Sequence, residues 1–290
     1  MSLTRHQYLS VDGVEVFYRS AGVADAPTVL LLHGFPSSSF QFRHMLAALA
    51  DQWHLVAPDL PGFGFTELRE SHTYPFKFDR LAETIARFIE KLNLKIAGAY
   101  LHDYGGHVGF RLLVSGVSNP QALIIQNTEA YSRLGWHEPM LGIEARQKES
   151  PKEGRDRLRS TLINEVGIRK EFFEDLPPEI AVRIDPAAFQ LGWSKICSPG
   201  TLDAMLDLHM DYGSNIQFYE KVQSHFRKTQ IPALLLWGAH DQYLSMDAAW
   251  AYKGDLLNAE VVELDGGHWL LESHPDEVNH EVRKFFSRTI

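Results

Sequence analysis

Leu101-His102-Asp103-Tyr104-Gly105-Gly106 closes a short apolar run, Ile96 to Leu101, and opens a stretch with helical spacing through Leu113. A strand that meets a helix within so few residues makes a tight, strained turn, and two glycines give such a turn room. The central residue then projects from the end of the strand. The amide of Tyr104, near the helix N-terminus, is placed to donate to an oxyanion. The projecting residue is an aspartate. A carboxylate is ionised at neutral pH without a base, and it attacks an sp3 carbon that bears a leaving group or a strained ring oxygen. The product is an ester on the enzyme, which an activated water must hydrolyse. Taken alone, Asp103 reads equally well as a helix cap after a strand.

Outward from this turn, strand and helix alternate. Val14 to Tyr18 alternates like a strand, and Thr28 to Leu32 is a continuous apolar run ending at His33-Gly34. His54 to Ala57, Ala122 to Ile125, Ala233 to Trp237 and Val261 to Leu264 are further short apolar runs. Such runs are the mark of strands buried on both faces. Between them lie helical spacings at Ser39 to Leu49, at Asp247 to Tyr252 and at Pro275 to Phe286. Another helix, expected to be capped by Asp79, carries Leu81, Ile85, Phe88, Ile89 and Leu92 on one face. From about Tyr131 to Lys228 helical stretches, charges and proline turns replace the apolar strands. The pattern predicts an α/β fold with an eight-stranded, mostly parallel sheet. Residues 1–130 and 229–290 are its core domain, and residues 131–228 a helical lid domain over the C-terminal edge of the strands.

Three more loops follow apolar runs. His33-Gly34-Phe35-Pro36 brings the amide of Phe35 toward that of Tyr104, so the pair is expected to form an oxyanion hole. Trp237-Gly238-Ala239-His240-Asp241 and Gly266-Gly267-His268-Trp269 complete the set. The order Asp103, Asp241, His268 is that of nucleophile, acid and histidine in hydrolases. His268 is expected to activate water, and Asp241 to fix its tautomer and support the imidazolium. A lone histidine or a lone aspartate after a strand means little; the four loops together carry the assignment.

The bulk composition narrows the alternatives. A chain of 290 residues with 44% hydrophobic and 22% charged residues buries a full core. A net charge of −9 disfavours nucleic acid as a partner. No signal-peptide pattern or membrane-spanning run is seen, so a cytoplasmic protein without membrane association is the default expectation. Cys197 is the only cysteine, so no internal disulfide forms. The 14 histidines include no HExxH or Cys/His cluster, and neither a metal nor another cofactor is expected. Gly62-Phe63-Gly64 lacks the rest of a dinucleotide fingerprint and reads as a turn.

These motifs resemble the α/β-hydrolase superfamily over nearly the whole chain, and most closely its epoxide hydrolase and haloalkane dehalogenase branch, which uses aspartate nucleophiles. His33-Gly34-Phe35-Pro36 and Pro58-Asp59-Leu60-Pro61-Gly62-Phe63-Gly64 are similar to loops of that branch. Tyr104 stands where the dehalogenases usually carry a halide-binding Trp, and Phe35 where they often carry Asn. The resemblance then implies that Trp136 or Trp193 in the lid supplies a halide donor. Epoxide hydrolases use two lid tyrosines on the ring oxygen, and Tyr212 is similar to the later one. No tyrosine lies between Tyr131 and Tyr212, which leaves Tyr131, Tyr219 or Tyr104 as the second donor. The resemblance implies a small apolar organic substrate and a monomer or homodimer. Epoxide hydrolysis is the leading expectation, followed by haloalkane or haloacid dehalogenation and then by ester or lactone hydrolysis. A non-catalytic ligand-binding protein on the same scaffold is the alternative of another class.

Overall fold

Arg5–Val11 (β1), Val14–Ala21 (β2), Thr28–Leu32 (β3), His54–Pro58 (β4), Glu67–Leu68 (β5), Ile96–His102 (β6), Ala122–Gln126 (β7), Ala233–Gly238 (β8) and Glu260–Leu264 (β9) form one sheet. This computed structural model describes residues 3–68, 74–146, 148–174 and 176–290. The strand order is β1-β2-β4-β3-β6-β7-β8-β9, and β5 pairs with β2 off this path. The path has the eight strands expected, and the two-residue β5 makes a ninth. β2 pairs antiparallel with β1, β4 and β5, while every pairing along the path from β4 to β9 is parallel.

The sheet is covered on both faces because its strands alternate. Val29, Leu31, Tyr100, Ile124, Leu234 and Leu236 face one apolar cluster. That cluster is completed by Arg43–Leu49 (α1) and, near the C-terminus, by Pro275–Thr289. Leu30, Leu32, Leu101, Leu123, Ile125 and Leu235 belong to the other, with Phe78–Lys91 (α2) and Tyr104–Ser115 (α3). From β3 the chain crosses to β4 on one side and later to β6 on the other. The loops after β3 and β6 therefore flank the crevice where α/β sheets place their ligands.

Asp79 does not cap α2. Lys77 occupies that position with no side-chain bond, and the Phe78 amide instead donates to Asp211 Oδ2 at 2.9 Å. Asp79 lies in the first turn and accepts from Arg111 Nε at 2.6 Å.

Between β7 and β8 the described chain is helical: Glu138–Arg146 (α4), Pro151–Thr161 (α5), Glu165–Phe173 (α6), Pro178–Ala181 (α7), Pro186–Ile196 (α8), Pro199–Met210 (α9) and Gly213–Thr229 (α10). Its sequence marks the starts: Ser150 with Glu153 forms a capping box, Asn164 and Asp185 cap α6 and α8, and proline opens several helices. Leu158, Ile168, Phe172 and Phe189 from this block join the same apolar cluster as α2 and α3. After β8 come Met246–Ala251 (α11), Leu270–Ser273 (α12) and Pro275–Thr289 (α13). No helix among the described residues is long and apolar enough to cross a membrane.

Candidate active site

Asp103 sits between β6 and α3 with φ 50° and ψ −120°, a backbone state that costs a non-glycine residue about 1–3 kcal/mol. Close packing enforces it. A Cβ on Gly105 would lie 2.3 Å from the Leu32 carbonyl oxygen, and one on Gly34 would lie 2.6 Å from the Asp103 Cβ. The Asp103 carbonyl is held by Gly106 N–H at 2.8 Å and by the Thr128 hydroxyl at 3.0 Å. Its carboxylate meets two backbone donors: the Phe35 amide donates to Oδ1 at 2.6 Å, and the Tyr104 amide is a second. Burial alone would raise the pKa of this acid. His268 and the Tyr104 amide outweigh it and hold the group at about 2.

His268 lies between two carboxylates. Its Nδ1–H donates to Asp241 Oδ2 at 2.8 Å, and its Nε2 stands 3.7 Å from Asp103 Oδ2. The second distance is an ion-pair contact, beyond hydrogen-bond range. Burial lowers the pKa of the ring, but Asp241 and Asp103 together carry it well above the usual histidine value. Asp241 is locked by its own loop: the amides of Tyr243 and Leu244 donate to Oδ1 at 2.6 and 3.1 Å. Asn127 Nδ2 donates to Oδ2 beside His268.

Two further histidines are frame, not chemistry. Gln41 Nε2 donates to His102 Nδ1 at 3.2 Å, so the His102 Nε2–H donates to the His268 carbonyl at 3.1 Å. Burial lowers the His102 pKa to about 3, and the ring stays neutral. His33 accepts the Leu60 amide on Nε2 at 2.9 Å and donates from Nδ1 to the Gly34 carbonyl at 3.0 Å. It ties the loop after β3 to the loop after β4.

Asp103 and His268 open onto a cavity of about 40 Å³. Phe35, Tyr104, Tyr243 and Leu244 line it from the sheet edge, and Met140, Ile143, Leu162, Glu171, His209 and Tyr212 from the helical block. One part of the wall is aliphatic. The other presents Glu129 and Glu171, two carboxyl groups in addition to Asp103. Burial pushes the Glu171 pKa up to about 8, against the opposing pull of Tyr243.

Residues 29–281 match the model of the alpha/beta hydrolase family. The chain is an alpha/beta hydrolase. It is 38% identical over 285 residues to the uncharacterized hydrolase YNR064C of Saccharomyces cerevisiae, with 97% of each chain covered. Among solved structures, haloalkane dehalogenase DbeA from Bradyrhizobium elkani superposes with a TM-score of 0.82 at 19% identity, over 99% of both chains. Epoxide hydrolase CorEH superposes with a TM-score of 0.77 at 21% identity, again over 99% of both. At these identities the two structures show a common fold.

Within this alpha/beta hydrolase, His268 and the amides of Phe35 and Tyr104 meet at the Asp103 carboxylate, with Asp241 behind His268. Tyr212 lines the cavity, but its hydroxyl donates to Glu129 Oε1 at 2.5 Å and lies 3.0 Å from His107 Nε2. Tyr219 donates to the same Glu129 oxygen at 2.5 Å. Three residues expected at the substrate are placed elsewhere. Tyr131 turns its hydroxyl to Asp255 Oδ2 at 2.8 Å and packs on Tyr252. Trp136 bridges to Leu244 through its backbone and leaves its buried Nε1 without a partner; neither it nor the half-buried Trp193 reaches the cavity wall. The sequence reading assigned no role to Asn127, Glu129, Tyr243, Glu171 or His209. Asn127 and Glu129 follow a strand, as the recognised motifs do, and Tyr243 is two residues past Asp241; those positions were a usable signal. Glu171 and His209 are single residues on helices, with no pattern around them.

Proposed function

We propose that this hydrolase opens a small, uncharged epoxide through a covalent ester on Asp103, and that the helices between β7 and β8, within residues 131–228, act as its lid. The observation that carries the reading is the setting of the Asp103 carboxylate. One oxygen receives the Phe35 amide and the other faces His268 at 3.7 Å. Asp103 needs no proton removed, so it attacks carbon directly, and the ring C–O bond breaks as the ester forms.

Esterification then removes the Asp103 charge. His268 loses one of the two carboxylates that hold its proton, and burial opposes Asp241 alone. Its pKa falls, the ring releases that proton to solvent, and the neutral imidazole becomes a base able to activate water. Water attacks the ester carbonyl, the Phe35 and Tyr104 amides hold the resulting oxyanion, and collapse releases a diol and restores the Asp103 carboxylate.

The wall chemistry supports an epoxide over a haloacid or a haloalkane. Glu129 in the wall disfavours a substrate carboxylate or a departing halide, while Glu171 holds its proton at neutral pH. A ring oxygen leaves as an alkoxide that takes a proton, which an acid-lined wall can supply. The cavity is far below the several hundred Å³ usual for ligand sites. Substrates are therefore short, or α4, α6 and α9 move outward to admit them.

A panel of epoxides, haloalkanes and esters, read for diol, halide and acid, tests the reading. Diol from short epoxides is expected, with at least about a 10⁴-fold loss in Asp103→Asn. Halide or acid as the main product, or turnover that survives Asp103→Asn, contradicts it.

A further inference from the structure

Opening a ring against Asp103 requires a proton for the departing oxygen, which leaves on the side away from the attacking carboxylate. His268 holds a proton, but between Asp241 and Asp103 on the attacking side, and few other wall groups have one to give. The Tyr212 hydroxyl donates to Glu129, and the Tyr243 hydroxyl donates to Glu171. His209 uses Nδ1–H on the Met205 carbonyl at 2.8 Å, and burial keeps the ring neutral with a pKa of about 4. Its Nε2 is then an acceptor. Glu129 Oε1 accepts from both Tyr212 and Tyr219 and stands 3.5 Å from His107, so it is engaged on the side away from Asp103. The Tyr104 ring is packed against Phe35, Phe78 and His209, and burial drives its phenol well above the ordinary tyrosine value.

Glu171 differs from all of these. It is buried on α6, it lines the cavity with Asp103 and His268, and only its Oε1 is taken, by Tyr243. A cavity that holds little more than a water or two puts each wall group close to its contents. We propose that the Glu171 carboxylic acid is the catalytic residue that protonates the departing ring oxygen, an assignment that rests on the epoxide reading above.

The step balances. An Asp103 oxygen bonds to carbon, the ring C–O pair moves onto oxygen, and that oxygen takes the Glu171 proton. Glu171 is left as a carboxylate beside a hydroxyalkyl ester. Hydrolysis of the ester yields Asp103 as an acid, whose ionisation returns one proton to the site and restores Glu171. Tyrosine acids raised by burial are poorer donors here than a carboxylic acid that still holds its proton at neutral pH. The groups that face Glu171 are Tyr243 and Asp241 from the loop after β8, His268 from the loop after β9, and Asp103 and Tyr104 from the turn after β6. On its own helix, Lys170 is engaged with Glu174 at 2.6 Å.

The test is the pH profile of ester formation, measured with a short epoxide in the His268→Gln background. With Glu171 intact the rate falls as the acid ionises, at a pH above the value of about 8 that holds with His268 present, because this background also removes the His268 charge that lowers the Glu171 pKa. Glu171→Gln keeps the shape of the side chain and has no proton to transfer. It is expected to slow ester formation by roughly 10²- to 10⁴-fold and to abolish the alkaline limb, while melting as the parent does. Tyr243→Phe is a second variant. It removes a donor that lowers the Glu171 pKa, so the limb moves to higher pH. Ester formation at the parental rate in Glu171→Gln, or a limb unmoved in both variants, overturns the assignment alone. No ester from any epoxide with Glu171 present overturns the reading beneath it.

Discussion

The C-terminal edge of the sheet and the helical block above it hold their site residues by different means. At the sheet edge most of the holding acts on or through the backbone. Asp103 is fixed by a strained turn between close-packed glycines, Asp241 by two amides of its own loop, and the His268 carbonyl by Gln126 and His102. In the block the holding is done by side chains, much of it at the surface. Arg155 bridges to Asp203 and Asp207, Arg159 to Asp203, and Arg157 to Glu149, all on exposed or half-exposed helix faces. Backbone constraint serves bond-making, which tolerates little displacement. On the proposed mechanism, side-chain packing would serve selection, which can vary while the carboxylate of Asp103 stays in place. Changes at the sheet edge should therefore alter the reaction whatever the substrate, and changes in the block should alter which substrate reacts.

The largest effect expected is at His268. His268→Gln should lose turnover by about 10³-fold or more, since removing a positioned base rarely costs less in a coupled site. It should still form the ester, because the Asp103 carboxylate needs no base. Intact-protein mass spectrometry should show the chain heavier by one substrate. Loss of ester formation along with turnover would put both regions in the same chemical step and break the contrast.

A smaller effect is expected at the aliphatic wall. Leu162 lines the cavity from the block, and Leu162→Ala widens it. One to three methylenes of added room shift discrimination by about tenfold or somewhat more. KM for a longer epoxide should fall by that factor while kcat for the shortest stays within about twofold. A drop in kcat for every substrate would show that the block also positions the reacting groups. The smallest effect is expected at the surface. Arg155→Ala removes contacts to Asp203 and Asp207 from a partly exposed pair network. Such pairs contribute below about 1 kcal/mol, so urea denaturation should show little change and the activity none.

The same contrast governs what the sequence disclosed. β3, β7 and β8 are buried along their whole length and β6 from Gly98 onward, so each had to be a continuous apolar run, and each run pointed to the loop after it. The placing of Asp103, Asp241 and Phe35 at such loops was legible for that reason, whereas His268 follows the half-exposed β9 and was read from the Gly266-Gly267 turn and its order after Asp241. β1 was not, because it is an edge strand that pairs with β2 alone and alternates exposed with half-buried residues. Asp79 looked like a cap until the fold brought Asp211 from another helix to the Phe78 amide. Glu171 and His209 take their character from burial in a cavity that three helices and the sheet edge build together. A residue's place on an amphipathic helix does not announce that environment. Tyr212 was found through its neighbours in sequence, yet its hydroxyl belongs to Glu129, a partner 83 residues away.

The central claim is that Asp103 is the nucleophile and water enters only at the ester. It is tested most directly by one turnover of the wild-type enzyme in heavy-oxygen water, with enzyme in excess over a short epoxide and the diol read by mass. The account predicts that the first diol carries ordinary oxygen, taken from the Asp103 carboxylate, and that the heavy isotope is left on Asp103 itself. Heavy oxygen in the first diol, with none in Asp103, would mean that the carboxylate acts as a base on water and would contradict the account.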